Sequence, residues 1–162
     1  MSFDVHFQPC RFDGTTSKRT NPFTKQVQDI PHNQPLSQPE VDAVRQVLTR
    51  AGATSPDEHG RHVVRFGDGS SVEVFGSDLA NGCMFAIRGA GITASLAQLL
   101  FDVMVAGNWV IMGEDDVVVA PTRDCLKGVP RGFPRVVVAA SGPEVAALLS
   151  GGFEEWKKYR DS

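Results

Sequence analysis

The pattern most typical of a chemical site is a pair of glycines between a predicted strand and a predicted helix. Gly89 and Gly91 follow the apolar run 83–87, and Glu114 comes after the next predicted strand. In dinucleotide-binding proteins such glycines let backbone amides at a helix amino end approach a pyrophosphate, and a later acidic residue binds a ribose hydroxyl. The pattern therefore keeps a small nucleotide-binding domain, or an enzyme built on this turn, as an alternative function.

Three observations argue against a nucleotide at this turn. Arg88 stands where an apolar side chain is expected beside the first glycine, and the segments before it have the pattern of hairpins. Too little chain follows Glu114 to complete a doubly wound sheet. We therefore expect an ordinary tight strand-to-helix turn and no bound cofactor.

Two histidines could contribute to a metal site. His59 and His62 lie near the carboxylates of Asp57, Glu58 and Glu73 in the sequence, and imidazole and carboxylate ligands suit several divalent ions. A histidine spacing of three is useful on one face of a helix, but this segment is predicted as a loop followed by a strand. We therefore expect surface histidines and no metal.

The three cysteines are candidate nucleophiles only if a base lies within hydrogen-bonding distance. Cys83 begins an apolar strand, where a cysteine usually serves as a small buried hydrophobic residue. Cys10 and Cys125 fall in predicted loops. Their odd number, wide spacing and lack of a C-x-x-C pair predict neither a disulfide framework nor a zinc cage, and they favour a reducing compartment.

Several carboxylates fall in predicted turns and loops. They are Asp57, Glu58, Asp68, Asp78, Glu114, Asp115 and Asp116. If the fold brings them together, they form a negative patch that attracts a basic partner. If it does not, they are scattered, solvated surface charges.

Composition predicts an ordinary globular domain. The 162 residues include 41% hydrophobic and 22% charged residues, which fits a single domain spanning 1–162. A formal charge of −3 and a pI near 5.8 lack the positive field that nucleic-acid binding usually needs. The amino terminus has no secretory pattern and no apolar run approaches the roughly 18 residues of a membrane span. We expect a cytoplasmic protein with neither a nucleic acid nor a membrane as partner.

Hydrophobic periodicity predicts alternating groups of strands and helices. The predicted strands are 3–7, 62–66, 71–75, 83–87, 109–112, 117–120 and 136–139. The predicted helices are 39–51 and 92–106, with a short helix at 143–149 and a final helical turn at 153–159. Residues 10–36 have no sustained period and contain several prolines, so they are predicted as a long irregular loop.

This order of elements favours an α+β fold. It predicts a mainly antiparallel sheet with two principal helices packed on one face, in two layers. Self-association through exposed apolar residues such as Phe153 and Trp156 stays open as a third possibility.

Several stretches resemble a group of small uncharacterised bacterial cytoplasmic proteins. The resembling segments are 1–8 (MSFDVHFQ), 72–76 (VEVFG), 82–89 (GCMFAIRG), 99–101 (LLF) and 151–156 (GGFEEW). Some members of that group resemble immunity proteins of polymorphic toxin systems. The resemblance implies a non-enzymatic interaction protein whose partner is another protein, such as a toxin. It carries no catalytic motif and transfers no active-site residues.

Overall fold

The computed structural model describes residues 2–9, 11–89, 91–113, 117–129 and 133–160. The fold is α+β, with a seven-stranded, mostly antiparallel sheet, which confirms the predicted class. Its strands are β1 (Phe3–Pro9), β4 (Arg61–Arg65), β5 (Ser71–Phe75), β6 (Cys83–Arg88), β7 (Trp109–Met112), β8 (Val117–Ala120) and β9 (Arg135–Val138). A separate two-stranded sheet contains β2 (Phe12–Thr20) and β3 (Val27–Asn33). The described helices are α1 (Gln38–Arg50), α2 (Ala94–Gly107), α3 (Arg123–Leu126) and α4 (Gly142–Arg160).

The first strand lies in the middle of the large sheet, whose order is β4-β5-β6-β1-β7-β8-β9. Phe3, Val5 and Phe7 are buried and alternate with more exposed residues, as the period of two predicts. The Phe7 ring packs against Phe85 and Trp109, with ring centroids 4.8 and 5.9 Å away. Because β1 is antiparallel to both β6 and β7, those two strands run in the same direction on either side of it. Among the described strands, the outer pair β8–β9 is the one parallel pair of neighbours.

The helix α1 begins at the capping box that the sequence predicts. The Glu40 carboxylate accepts hydrogen bonds from the backbone N–H and the hydroxyl of Ser37, at 2.9 and 2.8 Å. These bonds satisfy polar groups that a helix start leaves open. Val41, Val44 and Leu48 then form the buried stripe, so α1 packs along α2.

The helix α4 corrects the predicted short helix and separate final turn. It runs without a break for 19 residues and is the longest described helix, so the prediction of two principal helices is also incomplete. Val145, Leu149 and Phe153 are buried at intervals of four, which continues one apolar stripe past Gly151. Phe153 is 1% exposed and its ring meets that of Phe3 edge-on at 5.5 Å. Phe153 is therefore a core residue and not an exposed contact.

A second apolar cluster covers the opposite face of two strands. Val110, Val118 and Ala120 pack with Cys125 of α3, apart from the main core. Their neighbours along the strands, such as Trp109 and Val119, belong to the main core instead. β7 and β8 are therefore buried on both faces.

Residues 12–33 correct the predicted irregular loop, because they form a two-stranded antiparallel ribbon, here called the arm. At its tip, Oδ1 of Asn21 accepts hydrogen bonds from the backbone N–H groups of Phe23 and Thr24, at 2.9 and 3.1 Å. Lys25 completes the turn in the left-handed region, with φ of 60°.

The base of the arm is fixed to the body of the protein. Gln34 donates its backbone N–H to the Arg11 carbonyl oxygen at 2.6 Å, and the Arg11 guanidinium pairs with Glu40 of α1. Asn33 donates its side-chain amide to the Pro9 carbonyl oxygen. The arm therefore leaves the body between β1 and α1. None of the described helices is long and apolar enough to cross a membrane.

Candidate functional site

The glycine turn follows a strand in an antiparallel environment. β6 is antiparallel to both of its neighbours, β5 and β1, whereas the dinucleotide fingerprint belongs to a parallel sheet. Position 89 requires glycine because its φ is 135°. Gly91 does not have a positive φ, and the space around it is open. Glu114 lies outside the described residues. The turn is thus a sharp strand-to-helix connection.

One backbone N–H at the amino end of α2 already has a side-chain partner. The Thr93 hydroxyl oxygen accepts a bond from the Leu96 N–H at 3.3 Å and lies 3.2 Å from the Ser70 hydroxyl oxygen. Asp68 accepts bonds from the hydroxyl and the N–H of Ser70. The hydrogen bond from the Ser70 hydroxyl is the main cause that holds the pKa of Asp68 below its ordinary value. Bonds from the Ser70 N–H and from Thr93 contribute in the same direction. A carboxylate beside the helix start disfavours a phosphate there, since like charges repel.

The two histidines do not converge on a common point. His59 lies 3.5 Å from the Glu58 carboxylate, and both side chains are largely exposed. Nδ1 of His62 is 2.8 Å from the Thr54 carbonyl oxygen. Because a carbonyl oxygen only accepts, this nitrogen carries a proton and donates. Within the described ranges, no three His, Cys, Asp or Glu side chains are placed to share a metal ion.

The described cysteines are buried. Cys83 is 8% exposed, and burial raises its thiol pKa far above the ordinary value, so the thiol stays protonated. The Sγ atom of Cys125 lies 2.9 Å from Oδ1 of Asn108 and 3.3 Å from the Thr122 hydroxyl. Cys10 lies outside the described residues.

Asp57, Glu58 and Asp78 lie at one end of the β4–β5 hairpin. The 57–60 turn touches the 76–82 loop, because an added Cβ at Gly60 would lie 3.3 Å from the Ser77 Cβ. Asp68 lies in the turn at the other end of the same hairpin. The structure thus divides the described members of the acidic set between two ends of the sheet. Residues 114–116 lie outside the described ranges.

Most of these carboxylates stabilise their own loops. Asp57 accepts bonds from the N–H groups of Arg61 and His59 and pairs with the Arg61 guanidinium at 2.8 Å. These bonds, that from the Arg61 N–H foremost, hold the pKa of Asp57 below its ordinary value. Asp78 accepts bonds from Ala80 and Asn81. Partner binding by the acidic set stays a prediction.

Among the described residues, the two most exposed large apolar side chains lie on the arm, which was not predicted as a site from the sequence. Phe23 is 91% exposed at the tip, and Val27 and Ile30 are 60% and 39% exposed on β3. Arg19 and Lys25 are also exposed beside them. The sequence signal for this site is the turn alone: Asn21-Pro22 is a dipeptide typical of turns, and threonines lie on both sides of it.

A groove of about 620 Å³ runs between α1 and α2. Its apolar lining includes Val47, Phe66, Leu99 and Val105, and Val105 is 50% exposed. The rim carries Arg50 on α1 and Asp102 on α2. A volume of this size falls within the usual range for ligand-binding clefts.

Comparison with known proteins leaves these surfaces to be interpreted from their geometry alone. The chain matches no protein-family model, no curated protein and no solved structure at a significant level.

Proposed function

We propose that the protein is a non-enzymatic protein-interaction module of the bacterial cytoplasmic immunity type, which binds another protein through its arm. The 91% exposure of Phe23 carries this proposal. An aromatic side chain at an interface buries roughly 150–250 Å², and at the arm tip that burial contributes almost nothing to folding of this chain. The favourable contact of Phe23 is therefore available to a partner.

The composition of the arm tip supports a binding role. Aromatic residues and arginine are enriched where interfaces gain most of their binding energy. Here Phe23 has Arg19 and Lys25 nearby, both exposed. An apolar cleft with an acidic rim is the partner surface that fits this tip. The loops carrying Asp57 and Asp78 offer a second contact to a basic region of the same partner.

The body of the protein serves as the rigid support of the arm in this proposal. We propose that α1 and α2 pack on one face of β4, β5, β6 and β1, as a two-layer unit. The alternation of buried Val72 and Val74 with less buried neighbours in β5 supports this arrangement. In this arrangement the ion pair of Arg11 with Glu40 joins the base of the arm to α1 and helps to fix their relative orientation.

The test is reconstitution with a natural partner. The tagged protein is isolated from cells that produce it, the copurifying protein is identified, and both are purified and mixed. We expect a complex of fixed stoichiometry, and Phe23→Ala should weaken its dissociation constant at least about tenfold. Val136→Ala on β9, exposed by 37%, is the matched control and should bind like the parent. If the partner is a toxin, coexpression should protect growth, and Phe23→Ala should protect less.

Two results would overturn the proposal. One is the absence of any complex between the purified components. The other is equal affinity of the parent and Phe23→Ala, which would place the contact elsewhere.

A further inference from the structure

We propose that one partner of the arm is a second copy of this chain, with each Phe23 seated in the α1–α2 groove of the other copy. The inference rests on the proposed function only in that the arm is a binding element. It concerns the purified chain alone and needs no foreign protein.

The chain presents both an apolar projection and an apolar recess. Phe23 is 91% exposed and therefore has little contact with its own body. The groove is lined by Val47, Leu99 and Val105, and Val105 stays 50% exposed. Seating the ring in the groove removes both apolar surfaces from water, which is favourable at roughly 25 cal/mol per Å² buried.

The arm tip and the α2 rim of the groove carry opposite charges. Lys25, two residues after Phe23, is exposed at the arm tip, and Asp102 lies on the α2 rim of the groove. Arg50 on the α1 rim repels a lysine. The charges therefore favour one orientation, in which Lys25 faces α2. Such complementarity fixes the register of an interface more than it adds affinity.

The length of the arm and the closed symmetry of a reciprocal pair also favour a dimer. The seven residues of β3 span about 23 Å at about 3.3 Å per residue, so the ribbon carries its tip well away from its base. In a two-fold dimer each arm enters the groove of the other copy, and both contacts form together. Such a reciprocal arrangement is closed, because no free arm or groove remains for a third copy.

The experiment is sedimentation velocity of the purified full chain from low micromolar to near-millimolar concentration. We expect a monomer–dimer equilibrium. Phe23→Ala and, separately, Val105→Glu should each raise the dimer dissociation constant at least about tenfold. Both positions are exposed, so neither variant disturbs the core. Val136→Glu, on the distant edge strand β9, is the matched control and should leave the equilibrium unchanged.

Charge reversal tests the orientation. Lys25→Asp and Asp102→Lys should each weaken the dimer, and the double variant should recover most of the loss. A parent chain that remains monomeric throughout, or a dimer insensitive to both Phe23→Ala and Val105→Glu, would overturn the inference. Neither result depends on the reconstituted complex with a foreign partner. The proposed function is therefore tested independently of the dimer.

Discussion

Replacing Gly151 by alanine should stabilise the protein, and the sign of the effect tests whether α4 is one helix. Gly151 is an exposed residue in the interior of α4, whose range is Gly142–Arg160. An added Cβ would meet nothing within 4 Å. The substitution therefore introduces no clash and removes the conformational freedom that glycine has in the unfolded chain.

The magnitude follows from helix propensity. Glycine inside a helix is about 0.5–1 kcal/mol less favourable than alanine. With no steric cost to subtract, we expect the free energy of unfolding to rise by about 0.5–1 kcal/mol. For a chain of this size that corresponds to a rise in Tm of about 1–4 °C.

The assay is urea unfolding followed by far-ultraviolet circular dichroism. The unfolding midpoints of the parent and the variant are compared, with the same dependence of the unfolding free energy on urea concentration for both. Gly142→Ala is the control of opposite sign, because its Cβ would lie 3.0 Å from the Gln98 Cα. We expect Gly142→Ala to lower the unfolding midpoint and Gly151→Ala to raise it.

A loss of stability in Gly151→Ala would refute the reasoning. If 143–149 and 153–159 were separate helical segments, Gly151 would be placed to end the first in the left-handed conformation. Alanine there is strained, and the variant would lose about 1 kcal/mol instead of gaining it.

Two further predictions concern single contacts. Gly82→Ala should lower the free energy of unfolding by at least about 2 kcal/mol, measured by urea unfolding, because φ is 128° and the new Cβ would collide with the Phe7 carbonyl oxygen. Asp68 should titrate below its ordinary pKa by nuclear magnetic resonance, because Ser70 and Thr93 hydrogen-bond its charged form. Its stabilising effect is present above the unfolded-state pKa and is lost as pH falls through the folded-state pKa. Asp68→Asn should therefore lose less stability on acidification, and an unchanged pH profile would contradict this.

The elements with a buried face could be predicted from the sequence. In β1 the alternation of Phe3, Val5 and Phe7 with polar residues appears both in the sequence and in the burial. The capping residues Ser37 and Glu40 likewise locate the start of α1. These predictions succeeded because the core imposes its own period on each element that faces it.

The errors at α4 arose where distant contacts decide the structure. Gly151 and its neighbouring glycine indicate a break by propensity alone. Burial of Leu149 and Phe153 against the core overrides that preference, because tertiary packing supplies most of the stability of a protein helix. Local sequence does not show which residues of β1, such as Phe3, will meet the helix.

One physical cause explains both why the arm was not predicted as strands and why it is proposed to bind a partner. A ribbon whose described side chains are exposed on both faces has no core to impose an alternation, so 10–36 lacks the pattern that identifies a strand. Pro31 also argued against a strand, yet in a two-stranded ribbon each strand is an edge and tolerates proline. For the same reason the apolar side chains of Phe23 and Val27 have no core of their own to enter. In the arm, the exposure that removes the strand pattern from the sequence also leaves Phe23 and Val27 available for burial by another molecule.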